Sequence, residues 1–221
     1  MLGRLIAMGL ATQVFLAGQV FLAGHCAAQA VDPGPVRLGD RWSYDIKDAL
    51  TGDLRQAITI VAAEINEKEI TTRVSVRGKD RDRSMTIVFD PDWARIDDGI
   101  WKNRPSDLLG IKKPLQVGKQ WRAEGSSTNL QTGVALQTSG LAKVVGQEKI
   151  TTPAGTFDTF RVELTVRQIN TKDQTKSTTL TVVNWYAPAI NRWVRKNTEV
   201  RFDGRLRDSF TDELTEYSRK P

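Results

Sequence analysis

Through Phe160-Arg161-Val162-Glu163-Leu164-Thr165-Val166-Arg167 every second residue is apolar and every intervening one polar. That period belongs to a strand with one face in a core and the other in water. Arg73-Val74-Ser75-Val76-Arg77 repeats it, and residues 84–89 and 177–185 are rich in β-branched and aromatic side chains, which favour strands. Residues 192–202 read as a further strand: Val194, Val200 and Phe202 share one parity, whereas Trp193 falls with Arg195, Asn197, Glu199 and Arg201 on the polar one. Turn signals separate the runs, among them Thr51-Gly52-Asp53, Asp97-Asp98-Gly99, Thr132-Gly133 and Asp203-Gly204. No segment carries a convincing helical period; Leu206, Phe210 and Leu214 leave helix and strand both open. The pattern predicts an all-β or β-dominated protein built on an antiparallel sheet.

The chain also repeats itself. Val36-Arg37-Leu38-Gly39-Asp40-Arg41-Trp42 is similar to Leu115-Gln116-Val117-Gly118-Lys119-Gln120-Trp121, and a Thr-Gly turn follows in both. Residues 58–65 then correspond to 141–148, and Ile70-Thr71-Thr72 to Ile150-Thr151-Thr152. Four matches in one order predict two tandem, sequence-related halves, roughly 31–113 and 114–221, joined by a segment near Asn103 to Pro114. Whether the halves form one curved sheet or two packed sheets is not written in the pattern.

The first thirty residues change the picture. Arg4 is their only charge, an apolar run follows from Leu5 to Gly24, and small residues stand at Ala28 and Ala30. This is the layout of a secretory signal peptide cleaved after Ala30, leaving a single exported β domain over 31–221. The duplicated QVFLAG lengthens the apolar run towards a span, so a membrane anchor through an uncleaved segment is the alternative. His25 stands where a lipoprotein signal needs a small residue before Cys26, which argues against lipidation.

Those residues hold the only Cys and the only His of the 221-residue chain. An exported domain over 31–221 therefore lacks disulfides, cysteine nucleophiles, a Ser-His-Asp triad and imidazole-based zinc sites. The formal charge of +6 is spread along alternating strands rather than gathered. Export and the absence of a recognition motif argue against nucleic acid, and no transmembrane segment is expected after signal cleavage. Asp90, Asp92, Asp97 and Asp98 fall close together, but without the ligand spacing of a calcium loop. The expectation is a non-enzymatic domain with no catalytic residues, no metal and no cofactor.

At Pro114 to Trp121 (PLQVGKQW), Val144 to Leu164 (VVGQEKITTPAGTFDTFRVEL) and Trp185 to Arg195 (WYAPAINRWVR), the sequence resembles exported bacterial proteins of the DUF3108-like family, a domain of unknown function. The resemblance implies a β-rich periplasmic envelope domain akin to an open, curved half-barrel, and no reaction. It covers the second half well and the first half only through the repeat.

Six tryptophans are the most unusual feature of the composition. Trp42 and Trp121 begin equivalent strands, as anchors of a sheet core or as two walls of one apolar cleft. Trp185, Tyr186 and Trp193 flank the Ala187-Pro188-Ala189 bend, as cross-strand packing or as a ligand-lined mouth with Arg192 and Arg195 for an anionic headgroup. The leading expectation is a periplasmic β domain that binds a lipid or other amphiphile. The alternatives are an envelope structural or protein-interaction module, and a carbohydrate-binding or carbohydrate-active domain.

Overall fold

The computed structural model describes residues 34–78 and 81–219; the expected signal segment lies outside them. Six strands form from the first half: β1 (Arg41–Asp48), β2 (Leu54–Ile65), β3 (Ile70–Gly78), β4 (Asp82–Phe89), β5 (Arg95–Asp97) and β6 (Trp101–Arg104). Six more follow: β7 (Gln120–Asn129), β8 (Ala135–Thr152), β9 (Gly155–Asn170), β10 (Ser177–Ala187), β11 (Arg192–Phe202) and β12 (Arg205–Ser218). A single 3₁₀ turn, Pro188–Ile190, separates β10 from β11.

Every neighbouring pair is antiparallel, and β1 pairs with β12 as well as with β2, so the sheet closes into a twelve-strand barrel. The half-barrel implied by the family resemblance is thereby corrected. Closure follows from Trp42 and Tyr44 lying opposite Tyr217 and Leu214, which puts apolar side chains of both chain ends in one core. The open period around Leu206, Phe210 and Leu214 resolves as strand β12.

Alternation sets inside and outside. Trp42, Tyr44 and Ile46 point in and are buried, as are Val162, Leu164 and Val166, while Glu163, Thr165 and Arg167 point out. Ion pairs such as Arg161–Glu163 and Arg201–Glu199 dress the outer wall. This polarity is the reverse of a membrane-spanning barrel, whose outer wall is apolar. No helix among the described residues is long and apolar enough to cross a membrane.

The turns around Gly39 and Gly118 share local geometry. Gly39 and Gly118 both have positive φ (84° and 89°), which glycine adopts without steric cost. Gly39 N–H donates to Ala62 O at 2.8 Å and Gly118 N–H to Val144 O at 2.9 Å, and a bulge follows each acceptor strand position. At the far ends of β1 and β7, Asp48 Oδ1 and Asn129 Oδ1 each accept two backbone N–H groups of the next turn.

Eight strands make a barrel that side chains just fill, and more strands enclose more space. Two devices occupy the surplus here. One is a cluster of aromatic rings at the end where β1, β7 and β11 begin. The other is the connection after β6, whose Ser106, Asp107, Leu108 and Ile111 are buried inside. Leu108 lies over Gly140 of β8, and Gly110 packs so close to Ala94 that a Cβ there would sit 2.7 Å from the alanine Cβ. The segment expected as a simple joint is a plug.

Candidate binding compartment inside the barrel

The aromatic end is assembled by two turns that meet. Asp90 Oδ1 accepts the N–H groups of Asp92 and Ala94, holding the β4–β5 turn in which Trp93 adopts a φ of 67°. Trp93 Nε1 donates to Asn191 O, Trp42 Nε1 donates to Ile190 O at 3.0 Å, and Tyr44 donates to Trp193 O at 2.8 Å. The 3₁₀ turn and the start of β11 are thus tied to β1 and to the β4–β5 turn.

Arg192 lies at the centre with no exposed surface. Its guanidinium carbon is 3.9 Å from the Trp93 ring centroid, 4.2 Å from Trp193, 5.2 Å from Trp42 and 5.5 Å from Phe89. None of its three nitrogens makes a hydrogen bond of full geometry, and the Tyr44 hydroxyl oxygen is the polar group beside them. Ring faces attract the cation but do not replace in-plane acceptors. Burial pushes the Arg192 pKa down, partly offset by the nearby Tyr44 oxygen and the Asp212 carboxylate. Burial likewise pushes Tyr44 well above the ordinary tyrosine value, with Arg192 pulling the other way. Deeper in, Lys196 Nζ lies 2.6 Å from Asp212 Oδ2 and 4.5 Å from the Trp193 ring.

The expected site residues divide between the two faces. Trp42, Tyr186, Arg192 and Trp193 come together in the core, and half-buried Trp121 packs against it. Trp185 and Arg195 lie on the outer face: Trp185 Nε1 donates to Glu148 Oε1 at 2.9 Å, and Arg195 donates to Glu213 Oε1 at 2.8 Å. The polar-face parity expected for Trp193 is overturned by a bulge. Trp185 pairs with Arg195 but Tyr186 pairs with Trp193, so Val194 is the extra residue and Trp193 turns inward.

A cavity of about 290 Å³ lies towards the opposite end. Trp101, Leu109, Leu136, Val166 and Leu180 supply apolar wall. Arg95, held by Asp98 Oδ2 at 2.8 Å and Asp107 Oδ2 at 3.3 Å, forms with these two lining carboxylates a charged edge. Burial works to lower the Arg95 pKa, but Asp107 and Asp98 outweigh it and the group is raised. Ser127 reaches the cavity as well, and its buried hydroxyl has no partner. Sequence reasoning missed these residues. The Asp-Gly signal marked the hairpin before Trp101, but the four-residue β6 is too short for its alternation to show that Trp101 faces inward.

The grouped aspartates are turn builders: Asp97 Oδ1 accepts Gly99 N–H, and Asp98 Oδ1 accepts Ile100 and Trp101 N–H. Among the described residues no group of three or more acidic, His or Cys side chains could hold a metal.

A closed antiparallel barrel with a polar outer wall and a plugged interior is therefore the class of protein. Residues 131–198 match the DUF3108-like family, which bears out the resemblance read from the segments around Gly155 and Trp185. A crystal structure of a candidate lipoprotein from Parabacteroides distasonis is similar with a TM-score of 0.55 at 16% identity, covering 83% of this chain and 97% of that one. A candidate exported protein with a YmcC-like fold from Bacteroides fragilis is similar with a TM-score of 0.55 at 15% identity, covering 84% and 98%. At this identity the likeness shows the fold. No curated protein matches the chain.

Proposed function

We propose that the barrel is an extracytoplasmic, non-enzymatic binding protein for a small amphiphile, held in the cavity between Leu136, Val166 and Leu180. Export is supported by the signal-like first thirty residues and by structural neighbours described as an exported protein and a lipoprotein. The observation that supports the ligand reading is the cavity, with apolar walls, a charged edge made of Arg95 with Asp98 and Asp107, and the unpartnered Ser127 hydroxyl. Burying apolar ligand surface there contributes about 25 cal/mol per Å², and the polar edge orients the head. Some 290 Å³ equals roughly ten water volumes at about 30 Å³ each. The fitting ligand is a short single chain or a small ring rather than a two-chain lipid.

Native mass spectrometry of protein recovered without detergent tests this, with Leu136→Trp as the filled-cavity variant. A discrete extra mass in the wild type that is lost in a normally melting Leu136→Trp protein is the expected result. An apo wild type that stays apo after incubation with short-chain fatty acids overturns it.

A second reading, the interaction module, is favoured by one observation. β4 meets β5 only at Val88 and Phe89, so among the described residues 82–87 keep a strand edge that an extended partner segment could extend.

The shared turn geometry at Gly39 and Gly118 supports a duplicated origin, with β1–β6 and β7–β12 as the two units.

A further inference from the structure

The exposed aliphatic side chains gather at one end of the barrel. Antiparallel order puts the β1–β2, β5–β6, β7–β8, β9–β10 and β11–β12 turns on a single rim, opposite the aromatic cluster. Leu50, Ile100 and Leu130 stand on three of these turns, and Leu54 and Leu206 at the starts of β2 and β12. Single exposed aliphatics are ordinary on a protein surface. Turns, however, favour Gly, Asn, Asp and Ser. Five of the nine large apolar residues exposed among the described ones nevertheless share this rim, with Leu50 at 80% exposure the extreme. They form two groups. Ile100 O accepts the Leu130 N–H at 2.8 Å, and Ala49 N–H donates to Ser209 O at 3.1 Å, which joins the hairpins of Leu50 and Leu206.

Charge gives the rim its sign. Most of its carboxylates are already paired: Asp48 and Asp208 with Arg55, Asp97 with Lys102, and Asp173 with Lys176. Arg77 and Asp82 stand opposite each other and cancel. Exposed Arg81, Lys172, Arg205 and Arg207 make no ion pair among the described residues, against Asp53 and Asp203 on the acidic side. The balance is positive.

We propose that this rim docks the barrel end-on against an anionic lipid surface. The aliphatic tips enter the boundary between headgroups and acyl chains, and the free cations meet the anionic heads. The outer wall stops entry at the rim, because its ion pairs cannot follow into hydrocarbon. A protein partner is usually gripped through an aromatic anchor, whereas the rings nearest this rim, Trp101 and Phe202, are half-buried. Docking also brings the interior cavity to the membrane. Two of its walls, Trp101 and Leu136, follow directly on Ile100 and on the turn that carries Leu130.

Co-sedimentation with lipid vesicles of protein recovered without detergent tests the assignment. One vesicle set is phosphatidylcholine alone, the other phosphatidylcholine mixed with phosphatidylglycerol. The expected result is binding at least tenfold tighter to the mixed vesicles, weakening as salt is raised. Leu50→Ser combined with Leu130→Ser should weaken it at least tenfold. Arg205→Gln combined with Arg207→Gln should do the same, since each cation near an anionic surface contributes about fivefold. All four positions are exposed, so both variants should melt as the wild type; Ile100→Ser replaces a leucine substitution that does not. Val117→Ser changes a similarly exposed aliphatic at the opposite end and should bind as the wild type. No binding to mixed vesicles at low salt, equal binding to neutral ones, an equal loss in Val117→Ser, or undiminished binding by either folded rim variant would overturn the proposal. Leu136→Trp, which fills the interior cavity, should leave vesicle binding unchanged, so docking and the cavity ligand fail independently.

Discussion

At the residue scale, Arg192 shows how far a side chain can depart from its usual setting. A fully buried guanidinium bears a desolvation cost that ring contacts and the nearby Tyr44 oxygen and Asp212 carboxylate only partly offset. An apolar side chain of similar volume avoids that cost, as with other buried charges replaced by hydrophobes. Arg192→Met should therefore be neutral or stabilising in urea denaturation; a loss above about 3 kcal/mol would show that the cation is needed. The tryptophans separate in the same assay. Trp42→Ala removes a ring with no exposed surface and should cost about 3–5 kcal/mol. Trp185→Ala loses a half-buried outer ring that packs under Arg161 and donates to Glu148, and should cost less than Trp42→Ala, about 1–2 kcal/mol.

At the element scale, the β1–β2 hairpin is written in local chemistry. Arg55 first, then the N–H groups of Thr51 and Leu50, hold the Asp48 carboxyl at about 2, against an ordinary 3.8. A depressed carboxyl contributes stability that is fully present above 3.8 and lost as pH falls towards 2. Glu213 acts in the same direction: burial works to raise it, but Lys47 and Arg195 outweigh burial and it lies below its ordinary 4.5. Asp90 is raised, chiefly by burial, and opposes them by favouring the fold as it protonates. Melting temperature measured from pH 5 to pH 2 should fall less steeply in Asp48→Asn than in the wild type. Parallel curves would mean that the Arg55–Asp48 contact is not formed in solution. Residues 160–167 and 73–77 announced their strands because one face of each is buried and the other wet. The plug at 105–111 gave no such signal, because its burial comes from strands elsewhere in the chain.

At the scale of the whole molecule, closure depends on the seam between β1 and β12. Asp40, wholly buried, accepts from Arg219 at 2.9 Å and from Arg37 N–H at 3.0 Å. Arg219→Ala leaves a buried carboxylate without its cation and should cost about 3–5 kcal/mol by equilibrium denaturation. The seam joins residues separated by most of the chain, so ordering the loop between them precedes any reward from pairing. Refolding should fall in the slow range of sheet proteins, milliseconds to seconds or longer, in stopped-flow fluorescence.

The amino-acid sequence by itself determined the strand class, the antiparallel alternation, the paired Gly39 and Gly118 turns and the lack of His and Cys chemistry beyond residue 30. These are local properties: a period of two, a glycine at positive φ and a missing side chain need no partner to be read. Tertiary structure alone decided that the sheet closes, that Trp193 turns inward at a bulge, and that Trp185 and Arg195 stand apart from Trp42 and Arg192. It also decided that the cavity forms around Ser127 and Leu136 rather than at the Ala187-Pro188-Ala189 bend. Each of these depends on register between distant strands, and a shift of one residue exchanges inside for outside.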